Sequence, residues 1–261
     1  LHDGLRSETK GFIVPSTAGK SIPFARPTML VVVHDFSSFY LAELKHIVEK
    51  LEPIVGRHLS AAIVPRWHGN DCCTSNAPYR DLVMRSSEQL LHGWTHQSAG
   101  RMRPLSLLTG ASDEFWGLDE AMILARLEIA QADFRQLTGK SAEGFLPPAW
   151  QLPIRASRLS SLKFVMRFRC IESCQDHGRT QPLATSSWDW GRLGWLGYGG
   201  EWMGHLKRQT SRAAIPCIAI HPIDVHRGYF ARSVRLIEAL VRNGYRAVTA
   251  AELMSVQENE S

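Results

Sequence analysis

A chain of 261 residues, 44% of them hydrophobic, is long enough to bury a sizeable core as one α/β unit, and no apolar run approaches the roughly 20 residues of a membrane-spanning helix. Five cysteines, with Cys72 beside Cys73 and no CxxC spacing, fit neither a disulfide framework nor a zinc ribbon; with no secretory signal visible, a reduced, cytoplasmic protein is the expectation. The formal charge of +5 comes from scattered basic residues, densest at Arg101-Met102-Arg103 and Arg167-Phe168-Arg169, a distribution that argues for solvated faces and against a nucleic-acid partner.

Residues 1–27 read as an irregular arm. Thr28 to Val33 is a continuous β-branched run, the pattern of a strand buried on both faces. A helix is predicted from about Phe39 to Leu51, ending near Pro53, then a strand at Ala61 to Val64, and a helix from Pro78 to Gln89 feeding a strand at Leu90-Leu91. The strongest helix runs from Asp119 to Thr138. Ile123, Leu127, Ala130, Phe134 and Leu137 share one of its faces, with Asp119 able to cap its start and Gly139 its end.

Gly144 to Leu146 reads as a short strand closed by Pro147-Pro148, followed by a helix around Ile154 to Leu162 and a strand near Phe164 to Phe168. The stretch Thr185 to Gly200, with Trp188, Trp190 and Trp195 among several glycines, is expected to be a long mobile loop over the mouth, contacting substrate rather than doing chemistry. A strand at Ile215 to Ile220, a helix from Ala231 to Arg242 stopped by Asn243-Gly244, and a strand at Arg246 to Thr249 complete the pattern. Residues 257–261 read as a disordered tail. Strands alternating with helices imply a single α/β domain over 28–256, a distorted (β/α) barrel of about seven units.

The chemistry lies where strands end. The first predicted strand finishes in His34-Asp35, the third in His92-Gly93-Trp94-Thr95-His96, the fourth in Pro148-Ala149-Trp150 and a late one in His221. Strand ends in α/β barrels converge on one mouth. There, Asp35, His92 and His96 would give one carboxylate and two imidazoles with open positions for water and substrate. The helical His pair of the zinc proteases carries Glu after its first His; here Gly93 stands there, which favours a turning loop instead. The plainer alternatives are that His92 is a satisfied core histidine with His96 on a surface loop, that Asp35 caps the following helix, and that Trp94, Trp150 and Glu114 pack rather than line a pocket.

From Met29 to Ala250 the order and spacing of these motifs resemble the polysaccharide deacetylases of the NodB-homology superfamily. That family opens with an acidic pair after a hydrophobic strand, base first and metal-binding acid second, and Asp35 matches the second. Glu88 through His96 is similar to its His-containing motif, with Gly93 in the small position. Phe145 to Trp150 resembles the Pro-containing strand that lines the groove and offers a backbone N–H to the oxyanion. Ile218-Ala219-Ile220-His221 resembles the late strand ending in the acid histidine. His34 stands in place of the usual catalytic Asp, the Arg that normally orients that Asp has no clear counterpart before Pro148, and the Asp accompanying the late His has three candidates, Asp176, Asp189 and Asp224.

The resemblance implies a distorted (β/α) barrel that removes an acetyl group from an N-acetylated sugar using one divalent cation, with zinc the first expectation. Asp35, His92 and His96 would hold it, and Thr95 would help hold the loop. His34 or an unplaced carboxylate would be the base. His221 would be the acid, standing across the metal from His34, and Trp94, Pro148, Ala149, Trp150 and Trp195 would contact substrate. Two competing readings are a non-catalytic carbohydrate-binding relative and a different 2-His-1-carboxylate metalloenzyme, an iron oxygenase.

Overall fold

The computed structural model describes residues 27–70, 75–98, 112–176, 178–189, 197–211 and 213–256. The expected arm and tail, Cys72, Cys73, Trp190 and Trp195 lie outside the described residues. The hub is β1 (Thr28–Phe36), buried along its whole length. Around it close β2 (Ser60–Ile63), β3 (Glu88–Leu91), β4 (Gly144–Phe145), β5 (Phe164–Arg167), β6 (Cys170–Ser173), β7 (Thr180–Ser187) and β8 (Ile215–Ile220). The order β2-β3-β4-β5-β6-β7-β8-β1, with β1 also pairing β2, makes a closed eight-stranded barrel. Every neighbouring pair is parallel except that β6 runs antiparallel to both β5 and β7. The expected seven or so parallel units are therefore present, with one reversed strand inserted.

The described α-helices are α1 (Leu41–Val55), α2 (Ala77–Arg85), α3 (Glu120–Thr138), α4 (Gly197–Thr210), α5 (Ile223–His226), α6 (Phe230–Arg242) and α7 (Ala250–Val256). Strand alternation splits the core in two. Met29, Val31 and Val33 of β1 pack outward with Leu44, Ile47 and Leu51 of α1 and Ile237 of α6. Leu30 and Val32 point inward, with Leu90, Phe164, Met166, Cys217, and Leu253 and Met254 of α7. The inner cluster is the floor of the site. Full burial of each such aliphatic chain contributes about 1.5–3 kcal/mol.

α3 has the predicted ends: the Asp119 side chain accepts from the Met122 N–H at 2.8 Å, and Gly139 closes the helix in the left-handed region. α1 continues through Pro53 to Val55. α2 stops at Arg85 rather than Gln89, because the Arg57 guanidinium takes the carbonyls of Met84 and Arg85. The helix expected at Ile154–Leu162 reduces to one 3-10 turn at Ala156–Arg158. Arg167 claims the Leu152 and Ile154 carbonyls at 3.1 and 3.0 Å, so the opening turn is held open.

The largest correction concerns Thr185–Gly200. Thr185, Ser186 and Ser187 are buried residues of β7, and α4 begins at Gly197. The strand carries Pro182 and a Thr-Ser-Ser end instead of an apolar run, because α4 packs directly on it. A Cβ on Gly204 would lie 2.1 Å from the Ser186 Oγ. Trp188 is fully buried in the outer core and donates to Glu201 at 3.3 Å, so it is no part of a mobile cover. The strand expected at Arg246–Thr249 is only β9 (Arg246–Ala247), which pairs with the start of β1 outside the closed ring.

Candidate metal centre

The site begins with an irregularity in β1. Val33 pairs with Ala61 and Phe36 with Ile63, so three steps on β1 match two on β2. The extra residue makes a β-bulge, and Asp35 sits in it at φ 51°. Regular alternation would send Asp35 outward after inward His34. The bulge instead brings both consecutive side chains towards the barrel mouth.

β2 and the residue that follows β4 fix the second group. The His92 N–H donates to the Ile63 carbonyl at 2.8 Å, and its ring Nδ1 lies 2.7 Å from the Leu146 carbonyl. That bond assigns the proton to Nδ1 and leaves Nε2 as a ligand atom. Nε2 is 3.4 Å from the Asp35 Oδ1, and the His96 Nε2 is 3.0 Å from the same oxygen. Ligand atoms of Asp35, His92 and His96 all lie within 4.8 Å of one another, and all three residues are buried.

The segment between the two histidines turns sharply. Gly93 has φ 72° and His96 φ 56°, and a Cβ on Gly93 would lie 2.3 Å from the Glu114 Oε2 and 2.6 Å from the Pro148 Cγ. His96 stacks on Trp67, centroids 5.0 Å apart, and Trp67 stacks in turn on exposed His68. Among the described residues, the five non-glycines with positive φ are Asp35, His68, His96, Ala149 and Trp150, all at this mouth. Each such backbone costs of the order of 1–3 kcal/mol, which only an over-determined surrounding sustains.

His34 and His221 occupy the other part of the mouth. His34 packs against Trp150, His92 and His221, with ring centroids 4.8, 5.0 and 4.4 Å away. The expectation that His221 stands across the metal from His34 is therefore wrong: alternation along β1 and β8 points both inward from hydrogen-bonded neighbouring strands, so their rings meet. The His34 Nε2 is buried without a hydrogen-bond partner among the described residues. The backbone N–H of His221 donates to the fully buried Asp224 at 2.8 Å, whose Oδ2 is 3.7 Å from the ring Nδ1. Asp189 also brings a carboxylate oxygen within 4.8 Å of His221 and Asp35 while pairing with Arg227. Asp176 pairs with Arg179 in the exposed β6–β7 turn, which removes it from the candidates for the late His partner.

These surroundings set the charges. Burial would raise the Asp35 carboxyl, but the charge of His96 and the close approach of the His92 and His96 rings hold it well below the usual carboxylate range. Burial, reinforced by repulsion from His221 and His92, pushes the His34 imidazole well below its ordinary value, and burial likewise lowers His92. His221 goes the other way: burial opposes its charge, yet Asp224, Asp189 and Asp35 together raise it to about 9.

Other expected site residues fall differently. Pro148 is buried against Gly93 and Trp150 lies on His34, with Ala149 strained between them. Trp94 turns away: its Nε1 donates to Asp133 of α3 at 2.8 Å, and Arg126 lies 5.0 Å from its ring centroid. A Trp with a polar partner under the outer helix packs there and leaves the mouth. Glu88 belongs to the opposite end of the barrel, where it accepts from Ser60 and from the first N–H groups of α7. The sequence leaves Glu114 open between lining the pocket and packing and does not point to Trp67, whose only signal is its aromatic character beside a predicted strand.

No family model and no curated protein sequence matches the chain. Solved structures do. A proposed polysaccharide deacetylase from Mycobacterium smegmatis superposes with a TM-score of 0.60 at 14% identity, over 92% of this chain and 93% of its own. The peptidoglycan deacetylase PdaC from Bacillus subtilis gives 0.56 at 15% identity over 90% and 94%. BA3943 from Bacillus anthracis, described as a CE4 family pseudoenzyme, gives 0.51 at 13% identity over 87% and 65%. At these identities the likeness speaks to architecture, and the chain has the (β/α)-barrel fold of the polysaccharide deacetylases of the NodB-homology superfamily.

Proposed function

We propose that this protein is a metal-dependent hydrolase that removes the acetyl group from an N-acetylated sugar. The observation that carries the reading is the convergence of Asp35, His92 and His96, with one carboxylate oxygen 3.0 and 3.4 Å from two ring nitrogens. The donor set fits a divalent cation: Oδ1 of Asp35 is buried without a hydrogen-bond partner among the described residues, and the Leu146 carbonyl fixes the His92 tautomer with Nε2 available. Zinc bound there would polarise the acetamide carbonyl and acidify a water towards neutrality.

The chain's own groups do the rest. A water oxygen attacks the acetamide carbon and its proton passes to His34, held neutral by burial. The C–N bond then breaks, the nitrogen takes a proton from His221, and acetic acid, which ionises once released, and the amine leave. One proton is then left on His34 and one is missing from His221. The contact between their rings gives its return a short path. Trp150, packed on His34, offers its remaining ring surface to the substrate.

The test is metal analysis of the purified protein together with acetate release from N-acetylglucosamine oligomers. Metal uptake with acetate release supports the proposal; neither, under any divalent cation, overturns it. A second reading, a non-catalytic carbohydrate binder, is favoured by His34, which by the resemblance stands where the NodB-homology deacetylases carry their carboxylate base. Oligomer binding without acetate release would establish that reading, and dioxygen consumption with ferrous iron would point to an oxygenase instead.

A further inference from the structure

Glu114 has no surface of its own, yet its carboxylate is fully engaged by the loop that joins the two histidines. It accepts from the N–H groups of Trp94 at 3.0 Å, Thr95 at 3.2 Å and His96 at 2.9 Å. The Arg126 Nε donates to it at 2.6 Å, and another Arg126 nitrogen donates to the Thr95 Oγ1 at 2.9 Å. Three successive backbone N–H groups converging on one anion form a nest, and here the anion is supplied by the chain itself. The nest needs left-handed backbone at Gly93 and His96, and the carboxylate passes so close to Gly93 that no side chain fits there.

We propose that Glu114 is the positioning residue of the metal centre: it holds the His92–His96 loop in ligand geometry before any cation arrives, so that the site is pre-formed rather than assembled on binding. The proposal rests on the metal reading of Asp35, His92 and His96. Glu114 touches no reacting atom. Its charge-assisted hydrogen bonds hold the left-handed backbone that turns the His96 ring towards Asp35, and Arg126 compensates the buried carboxylate from α3.

Glu114→Gln tests this, because the amide must aim N–H groups at N–H donors. The expected result is 10–100-fold weaker binding of Zn²⁺ and Co²⁺ in a chelator competition, as for other losses of ligand-orienting contacts. In metal-free protein, amide exchange at residues 93–96 should speed up while the barrel strands keep wild-type protection. Wild-type affinity and wild-type loop exchange in the variant would overturn the proposal, as would uniform loss of protection across the barrel, the mark of a merely structural role. Should Glu114→Gln not fold, Glu114→Asp keeps the charge one methylene short and is expected to show the same two changes. If the wild-type protein takes up neither cation, the metal reading fails, while metal-free exchange at 93–96 still decides whether Glu114 pre-forms the loop.

Discussion

The rings of His34 and His221 pack together with centroids 4.4 Å apart and planes 37° apart, so the base and acid of the proposed reaction are neighbours. His221→Ala should keep its metal, lose roughly 10²–10⁴-fold in rate on an acetamide, and lose much less on an activated ester whose leaving group needs no proton. His34→Ala should slow both substrates alike. Because the side chains touch, the double variant should fall well short of the product of the two losses. Equal losses on amide and ester for His221→Ala would remove it from the role of acid.

Replacing Asp35, His92 or His96 by Ala should abolish bound metal and hydrolysis together, read by elemental analysis and acetate release on the same samples. Chelation of the wild-type protein should do the same, reversibly on adding zinc. Full occupancy and activity in His96→Ala would sink the ligand set.

Trp188 lies in the core between β7 and α4. Trp188→Ala should therefore destabilise the fold by about 3–5 kcal/mol, measured by urea unfolding, rather than raise KM selectively. A variant of wild-type stability with altered KM alone would return Trp188 to the substrate-contacting role expected from sequence.

Glu88 links stability to pH. Burial raises its carboxyl above the ordinary value against hydrogen bonds from Ser60, Ala251 and Ala250. The folded state thus keeps the proton to a higher pH than the unfolded chain. Its contribution to stability is full below the unfolded value and declines as pH rises through the folded one. Glu88→Gln replaces one acceptor oxygen by donors facing donors and should cost about 1–3 kcal/mol at neutral pH. That penalty should widen as pH falls from 7 to 4, because only the wild type gains from protonation. Urea unfolding at the two pH values checks it, and a pH-independent penalty would uncouple Glu88 from acid stability.

The sequence by itself determined what local chemistry determines. The β-branched run of β1 marks a doubly buried strand, Asp119 and Gly139 mark the ends of α3, and His34-Asp35, His92, His96 and His221 mark strand ends, since burial periodicity and capping act within a few residues. Tertiary structure decided what depends on partners distant in the chain. Only the pairing of β1 with β2 creates the bulge that turns Asp35 inward. Only the pairing of β1 with β8 sets His34 against His221, and only α3 draws Trp94 outward through Asp133. β7 was illegible because its buried Thr and Ser side chains suit the close approach of α4, a contact that no periodicity encodes. Glu114 was legible as a residue that lines the pocket or packs, but its role was not: its partners are backbone N–H groups, which every residue but proline carries, so nothing in the side-chain sequence announces them.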